Sequence, residues 1–198
     1  MLTASQPLAS KIRSLREHGA DVDDFQRHKT GQILLPEYPR AGLNYRMTDV
    51  QAAIGIAQLS SKLDRIMARR SQLAARYTER LQKITWLRPT AVPQGYLHSY
   101  QSYVCLYQPI APTAANAEAL GRQRQALMQK LREQGIETRQ GTHAIHLLAH
   151  YAKRYALTPA SLPNAWVADQ AALAPPLYAQ MTDDEQDRVI DALASLGS

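Results

Sequence analysis

Cysteine and phenylalanine each occur once in the 198 residues. The lone Cys105 excludes an internal disulfide and any cysteine-rich metal site. It sits in the apolar run Tyr103-Val104-Cys105-Leu106-Tyr107 and is expected as a buried thiol. With ten tyrosines against one phenylalanine, most aromatic rings carry a hydroxyl that needs water or a partner. No apolar run reaches membrane-spanning length and no signal-peptide pattern opens the chain, so the expectation is a cytoplasmic protein with no membrane partner. The nine glycines are dispersed, and no GxGxxG, Walker or GxSxG motif is found. Acidic residues are fewer than basic ones, giving a net charge of +6 and a pI near 9.5. The basic residues spread over several expected helices, and no zinc-finger, RRM or basic-zipper pattern is present. Nucleic acid is therefore not an expected partner; a solvated cationic helix face or an anionic small substrate accounts for the charge.

What is there centres on Gly42-Leu43-Asn44-Tyr45-Arg46-Met47-Thr48-Asp49-Val50-Gln51-Ala52-Ala53. The first half reads as a glycine-led polar loop. The second half opens a helix: Thr48 and Gln51 have capping-box spacing, and Asp49 complements the helix dipole. Asn44 and Arg46 are suited to donate to an anion, as an amide and a guanidinium. The spacing alone fits a turn asparagine beside a surface arginine equally well.

Apolar residues at three- and four-residue steps predict one helix from Thr48 to about Ile84, roughly 50 Å long, with a bend possible at Ser60-Ser61. Gly55 would allow another backbone to approach it. Lys62, Arg65, Arg69, Arg70, Arg76 and Arg80 read as its solvated face. Ahead of it, Leu8 to His18 is a short helix with Leu8, Ile12 and Leu15 inward, stopped by Gly19; residues 20–41 read as a long loop. Beyond Pro89 and Pro93, His98 to Tyr107 and Ile136 to Arg139 read as strands. Ala119 to Gln134, Pro163 to Leu173 and the segment after the Thr182–Glu185 capping box read as helices, with a loop and short helix over residues 141–155. Strands interleaved with helices predict a small α/β lobe.

His143, His146 and His150 cluster in that loop. His146 and His150 would share a helix face as paired metal ligands do, but no acid stands among them, and no metal is expected. A substrate-facing polar loop and a structural histidine cluster both remain open.

The run from Gly42 to Gly55, with Gln58-Leu59 and Lys62-Leu63-Asp64, closely resembles the DegT/StrS-type nucleotide-sugar aminotransferases, whose motif is G-Y-N-Y-R-[ML]-[ST]-[DE]-[IVL]-Q-A-A. Leu43 in place of tyrosine is the one departure. Gly135-Ile136-Glu137-Thr138-Arg139, Gly141-Thr142-His143-Ala144-Ile145-His146 and Pro176-Leu177-Tyr178 with Met181-Thr182 extend the match over essentially the whole chain. The resemblance implies the C-terminal part of a pyridoxal-phosphate enzyme of fold type I, the aspartate-aminotransferase fold, with a long helix between lobes. Residues 1–47 would end the large cofactor lobe, 48–84 would be the connecting helix, and 85–198 the small lobe. It implies amino transfer to a nucleotide-linked keto-sugar from a donor such as glutamate, in amino-sugar, polysaccharide or antibiotic-sugar synthesis.

By the same resemblance, Asn44 contacts the cofactor phosphate of a neighbouring subunit, with Tyr45 and Arg46 in the same loop. His143, His146 and Tyr151 are implied substrate contacts. The Schiff-base lysine precedes a GEGGM segment in this family, and Met1 resembles its closing methionine. Lys11 and Lys29 do not stand in the matching context. The chain then reads as a fragment without a catalytic residue of its own, completed by a missing N-terminal half and a homodimer partner. The competing reading is a degenerate, non-catalytic module that retains only interface surfaces.

Overall fold

The structure is a computed structural model that describes residues 3–21 and 37–196. It forms two compact units, residues 1–61 and 62–198. Lys29 and most of the expected long loop lie outside the described residues.

In the first unit, α1 spans Gln6–Arg16, with proline in its first turn and Arg13 and Arg16 in its last, where the helix dipole favours cations. His18 and Gly19 both take positive φ and end it. Of α1 only Ser14 is buried; Leu8 and Leu15 are exposed, contrary to the inward face expected of them. The chain returns at Arg40–Tyr45 and pairs with the end of α1. Leu43 N–H donates to Leu15 O at 2.7 Å, His18 N–H to Leu43 O at 3.1 Å, and Tyr45 N–H to Arg16 O at 2.8 Å. Two glycines permit this approach. A Cβ on Gly19 would lie 1.8 Å from Arg40 O, and one on Gly42 would lie 2.2 Å from Gly19 N.

Helix α2 spans Asp49–Ser61. Its capping box forms as expected: Thr48 N–H donates to Gln51 Oε1 at 3.0 Å and Gln51 N–H to Thr48 Oγ1 at 3.3 Å. None of its residues is buried. A Cβ on Gly55 would meet nothing within 4 Å, so no described backbone makes the approach expected there.

The single helix expected over 48–84 is two helices, and the second ends at Leu81. Ser60 Oγ and Ser61 Oγ donate back to Ile56 O and Ala57 O, each at 2.6 Å. Such back-bonding competes for helix carbonyls and bends helices. Lys62, at φ −121°, then leaves the helical region and caps α3, Leu63–Leu81.

The second unit is built on a four-stranded antiparallel sheet in the order β1-β2-β4-β3. The strands are β1 Leu87–Pro89, β2 Cys105–Tyr107, β3 Arg139–Gln140 and β4 Ala172–Ala174. Its helices are α3, α4 Ala117–Glu133, α5 Ala149–Tyr155, α6 Pro163–Ala171 and α7 Asp183–Leu196. The core joins Leu73, Tyr77 and Leu81 of α3 to Leu127 and Leu131 of α4, Leu173 of β4, and Val189, Ile190 and Leu193 of α7. Cys105 is fully buried in it, and desolvation pushes its thiol up to about 12.

Three expected elements differ. The strand read from His98 begins only at Cys105, because Tyr100 adopts φ +45° and breaks the extended run. The helix expected to Leu173 stops at Ala171, and Ala172-Leu173-Ala174 becomes the strand between β2 and β3. The strand expected over Ile136–Arg139 is shifted to Arg139–Gln140. The arginine face of α3 is not simply solvated. Arg69 donates to Asp183 at 2.8 Å, Arg76 to Asp187 at 2.6 Å and Arg80 to Asp187 at 3.0 Å, which ties α3 to α7.

Candidate functional site

The two predicted sets of site residues fall in different units. In the first unit, the pairing of residues 42–45 with the end of α1 presents Asn44 opposite Glu17 in an isolated antiparallel bridge. Arg46 Nε donates to Asn44 Oδ1 at 3.1 Å, and Arg46 Nη1 lies 3.8 Å from Glu17 Oε1. Glu17 is buried, and its Oε1 has no hydrogen-bond partner. Sequence reasoning missed Glu17, since nothing in the helix pattern marks its carboxylate as turned inward. The trio orders the loop chemically. The carboxylate offsets part of the arginine's charge, the guanidinium fixes the amide, and the amide's Nδ2 hydrogens are what Asn44 still has to offer. Tyr45 is held by its backbone while its side chain is 74% exposed.

In the second unit, β3 delivers the histidine loop. Gly141 must be glycine, because a Cβ would lie 2.7 Å from Val104 Cγ1 and 2.8 Å from Ala172 Cβ. The loop is then clasped by Asp169 of α6, a residue that sequence reasoning did not single out. Its Oδ1 accepts from Ala144 N–H at 2.8 Å and from Gln140 Nε2 at 2.9 Å, and its Oδ2 accepts from Gln170 Nε2 at 2.7 Å. Gln140 also donates to Thr142 O at 2.8 Å. An aspartate inside a helix reads as a solvated residue; only the fold shows that it faces β3.

His143 is exposed on this clasped loop. His146 is buried in a 3₁₀ turn, Ile145–Leu147, and its Nε2 makes no hydrogen bond. Tyr151 is 41% exposed on α5 and stands edge-on to His150, ring centroids 5.1 Å apart. His146 and His150 therefore do not share a helix: the first lies in the 3₁₀ turn and the second in α5. Among the described residues no group of three or more His, Cys, Asp or Glu could hold a metal ion. Among them, too, no helix is long and apolar enough to cross a membrane.

A profile of the DegT/DnrJ/EryC1/StrS aminotransferase family matches residues 1–194. The chain belongs to this family. Its fold is that of solved sugar aminotransferases. Helicobacter pylori PseC, an aminotransferase of pseudoaminic acid biosynthesis, superposes with a TM-score of 0.78 at 19% identity, over 98% of this chain and 47% of its own. The putative sugar aminotransferase Spr1654 of Streptococcus pneumoniae, in its PLP form, gives 0.77 at 19% identity, over 98% and 44%. DesV of S. venezuelae, in complex with a ketimine intermediate, gives 0.76 at 23%, over 100% and 46%. The chain thus spans about half the length of these structures. Pyridoxal phosphate is the cofactor of the family, and Spr1654 is seen in both its PLP and PMP forms.

Proposed function

We propose that the chain supplies the cofactor-phosphate loop and the substrate loop of a pyridoxal-phosphate-dependent sugar aminotransferase. The family match over residues 1–194 carries this reading. The residues present fit a phosphate at the first loop: Asn44 has its carbonyl oxygen engaged by Arg46, which leaves a neutral amide donor for the anion. Arg46, shared with Glu17, acts chiefly by orienting that amide, and Tyr45 forms the exposed wall of the loop. A charge-assisted hydrogen bond of this kind contributes ~1.5–3 kcal/mol.

Pyridoxal phosphate, when bound, supplies the electron sink for moving an amino group between carbon skeletons. The lysine that carries it lies, in this reading, in the part of the fold this chain does not span. Amino transfer then needs that part, contributed within a dimer. The second loop receives the nucleotide-linked keto-sugar, with His143 exposed toward ligand. The hydroxyl of Tyr151 is a further polar contact, while His146, whose Nε2 is buried, serves the loop by packing. The setting is cytoplasmic synthesis of an amino sugar for a polysaccharide or a related glycoconjugate.

The experiment is complementation. The chain is co-expressed with an amino-terminal half of a family member that carries the cofactor lysine. Amino transfer from L-glutamate to a nucleotide keto-sugar is then followed. Activity in the pair, and none in either half, is the expected result. A properly assembled pair that binds cofactor and transfers nothing to any nucleotide keto-sugar would remove the sugar assignment.

A further inference from the structure

A groove runs along the β1 side of the sheet in the second unit, between β1, β2, the turn at residues 109–114 and α6. Its volume of about 730 Å³ lies within the range of ligand-binding clefts. Strands β1 and β3 are opposite edges of the sheet, and no residue of the histidine loop that follows β3 lines the groove. We propose that it is a binding site for a polyhydroxy monocarboxylate, a sugar acid, with its carboxylate on Arg88 and its hydroxyls on Gln108 and Asn164.

The first support is the convergence of three unused polar side chains. Arg88, Gln108 and Asn164 all line the groove, and their side chains make no hydrogen bond or ion pair among the described residues. Strand register explains part of this. Arg88 pairs with Leu106 across β1 and β2, so both side chains leave one face of the sheet. Gln108, two residues past Leu106, keeps to that face. Asn164 comes from the first turn of α6, the helix that packs on β2.

The second is what these groups recognise. A guanidinium with its fork unused matches a carboxylate, which it binds through two parallel bonds. A side-chain amide carries both donors and an acceptor, and a hydroxyl also does both. No aspartate or glutamate lines the groove, and Arg88 is its one cation among the described residues. A single negative charge is therefore matched, whereas a dianion would keep one charge unmet. Between the polar groups, half-buried Leu106 and Val167 offer an apolar floor for the C–H face of a polyol.

The third is a wall that is set before any ligand arrives. Asn116 staples the turn: Thr113 N–H donates to Asn116 Oδ1 at 2.8 Å, and Asn116 Nδ2 donates to Ala111 O at 3.0 Å. Pro109 and Pro112 fix φ within the same turn. Little ordering of this wall then opposes binding.

This site needs neither the cofactor nor amino transfer, so its failure and that of the aminotransferase reading are separable. The test is calorimetric titration of the 198-residue protein with D-glucuronate, D-galacturonate and D-gluconate, against D-glucose, hexanoate and inorganic phosphate. At least one sugar acid should bind saturably. It should bind more tightly than D-glucose, which lacks the carboxylate, and than hexanoate, which lacks the hydroxyls. Arg88→Gln should weaken that binding about tenfold, the loss of a bidentate charge pair, and bring it near the level of D-glucose. Asn164→Ala should weaken the sugar acid about threefold and leave hexanoate unchanged. Both positions are exposed, so the variants should keep the parent's circular dichroism and melting temperature. The same order should hold in the complemented pair. The proposal is overturned if no sugar acid binds saturably, or if Arg88→Gln binds it as well as the parent. Phosphate or hexanoate matching the sugar acids overturns it too, and so does loss of binding in the assembled pair.

Discussion

Arg46 donates through Nε to the side-chain oxygen of Asn44 at 3.1 Å, so the amide of Asn44 is oriented by its own loop before any ligand arrives. This separates the two residues' roles. In the proposed site Asn44→Ala takes away the amide that would donate to the phosphate, whereas Arg46→Ala only releases that amide. In the assembled enzyme, cofactor affinity measured by equilibrium dialysis should weaken roughly 10- to 100-fold for Asn44→Ala, the loss of one charge-assisted bond. Arg46→Ala should weaken it by less. A larger effect for Arg46 would reverse the assignment.

Asp169 clasps the histidine loop through Ala144 and Gln140. Asp169→Ala leaves those donors without their partner and should destabilise the second unit by ~1–3 kcal/mol. Urea denaturation reads the stability change. In the assembled enzyme KM for the nucleotide sugar should rise, with cofactor affinity unchanged. An unaltered KM would detach the loop from substrate binding.

Gly19 and Gly42 face each other where the polar loop crosses the end of α1. Gly42→Ala would drive a methyl group into Gly19 N and should detach the loop. The expected signature is faster hydrogen exchange at Leu43 and Tyr45, whose N–H groups bond Leu15 and Arg16. Unchanged protection at those two amides would contradict the pairing.

The arginines of α3 hold Asp187 below the usual aspartate range, chiefly through the hydrogen bond from Arg76. A carboxylate whose folded pKa is depressed adds stability that is full above its unfolded value, near 3.8. That stability is lost as pH falls through the lower folded value. Asp187→Asn should therefore lower the melting temperature at pH 7 and leave little difference from the parent once the pH falls below the depressed folded value. A constant difference across that range would point to packing rather than charge.

The sequence made the loop at Gly42 and its capped helix legible, because capping boxes and glycines are local signals: Thr48–Gln51 and Thr182–Glu185 both form. Leu120, Leu127 and Leu131 of α4 bury as their spacing predicts. What it hid was tertiary. Ala172-Leu173-Ala174 continues a helical pattern and becomes a strand only because β2 and β3 offer partners on both sides. Glu17 and Asp169 look like surface acids until the chain folds over them. The arginines of α3 read as a solvated face because the aspartates that meet them lie more than a hundred residues away.

The most direct test of the aminotransferase reading is cofactor retention by the complemented pair. The pair is passed through gel filtration with pyridoxal phosphate, and the visible absorbance of the bound cofactor is followed. The account predicts a band that co-elutes with the pair and is largely lost with Asn44→Ala at equal assembly. A band retained in full by Asn44→Ala, or no band in a properly assembled parent pair, would contradict it.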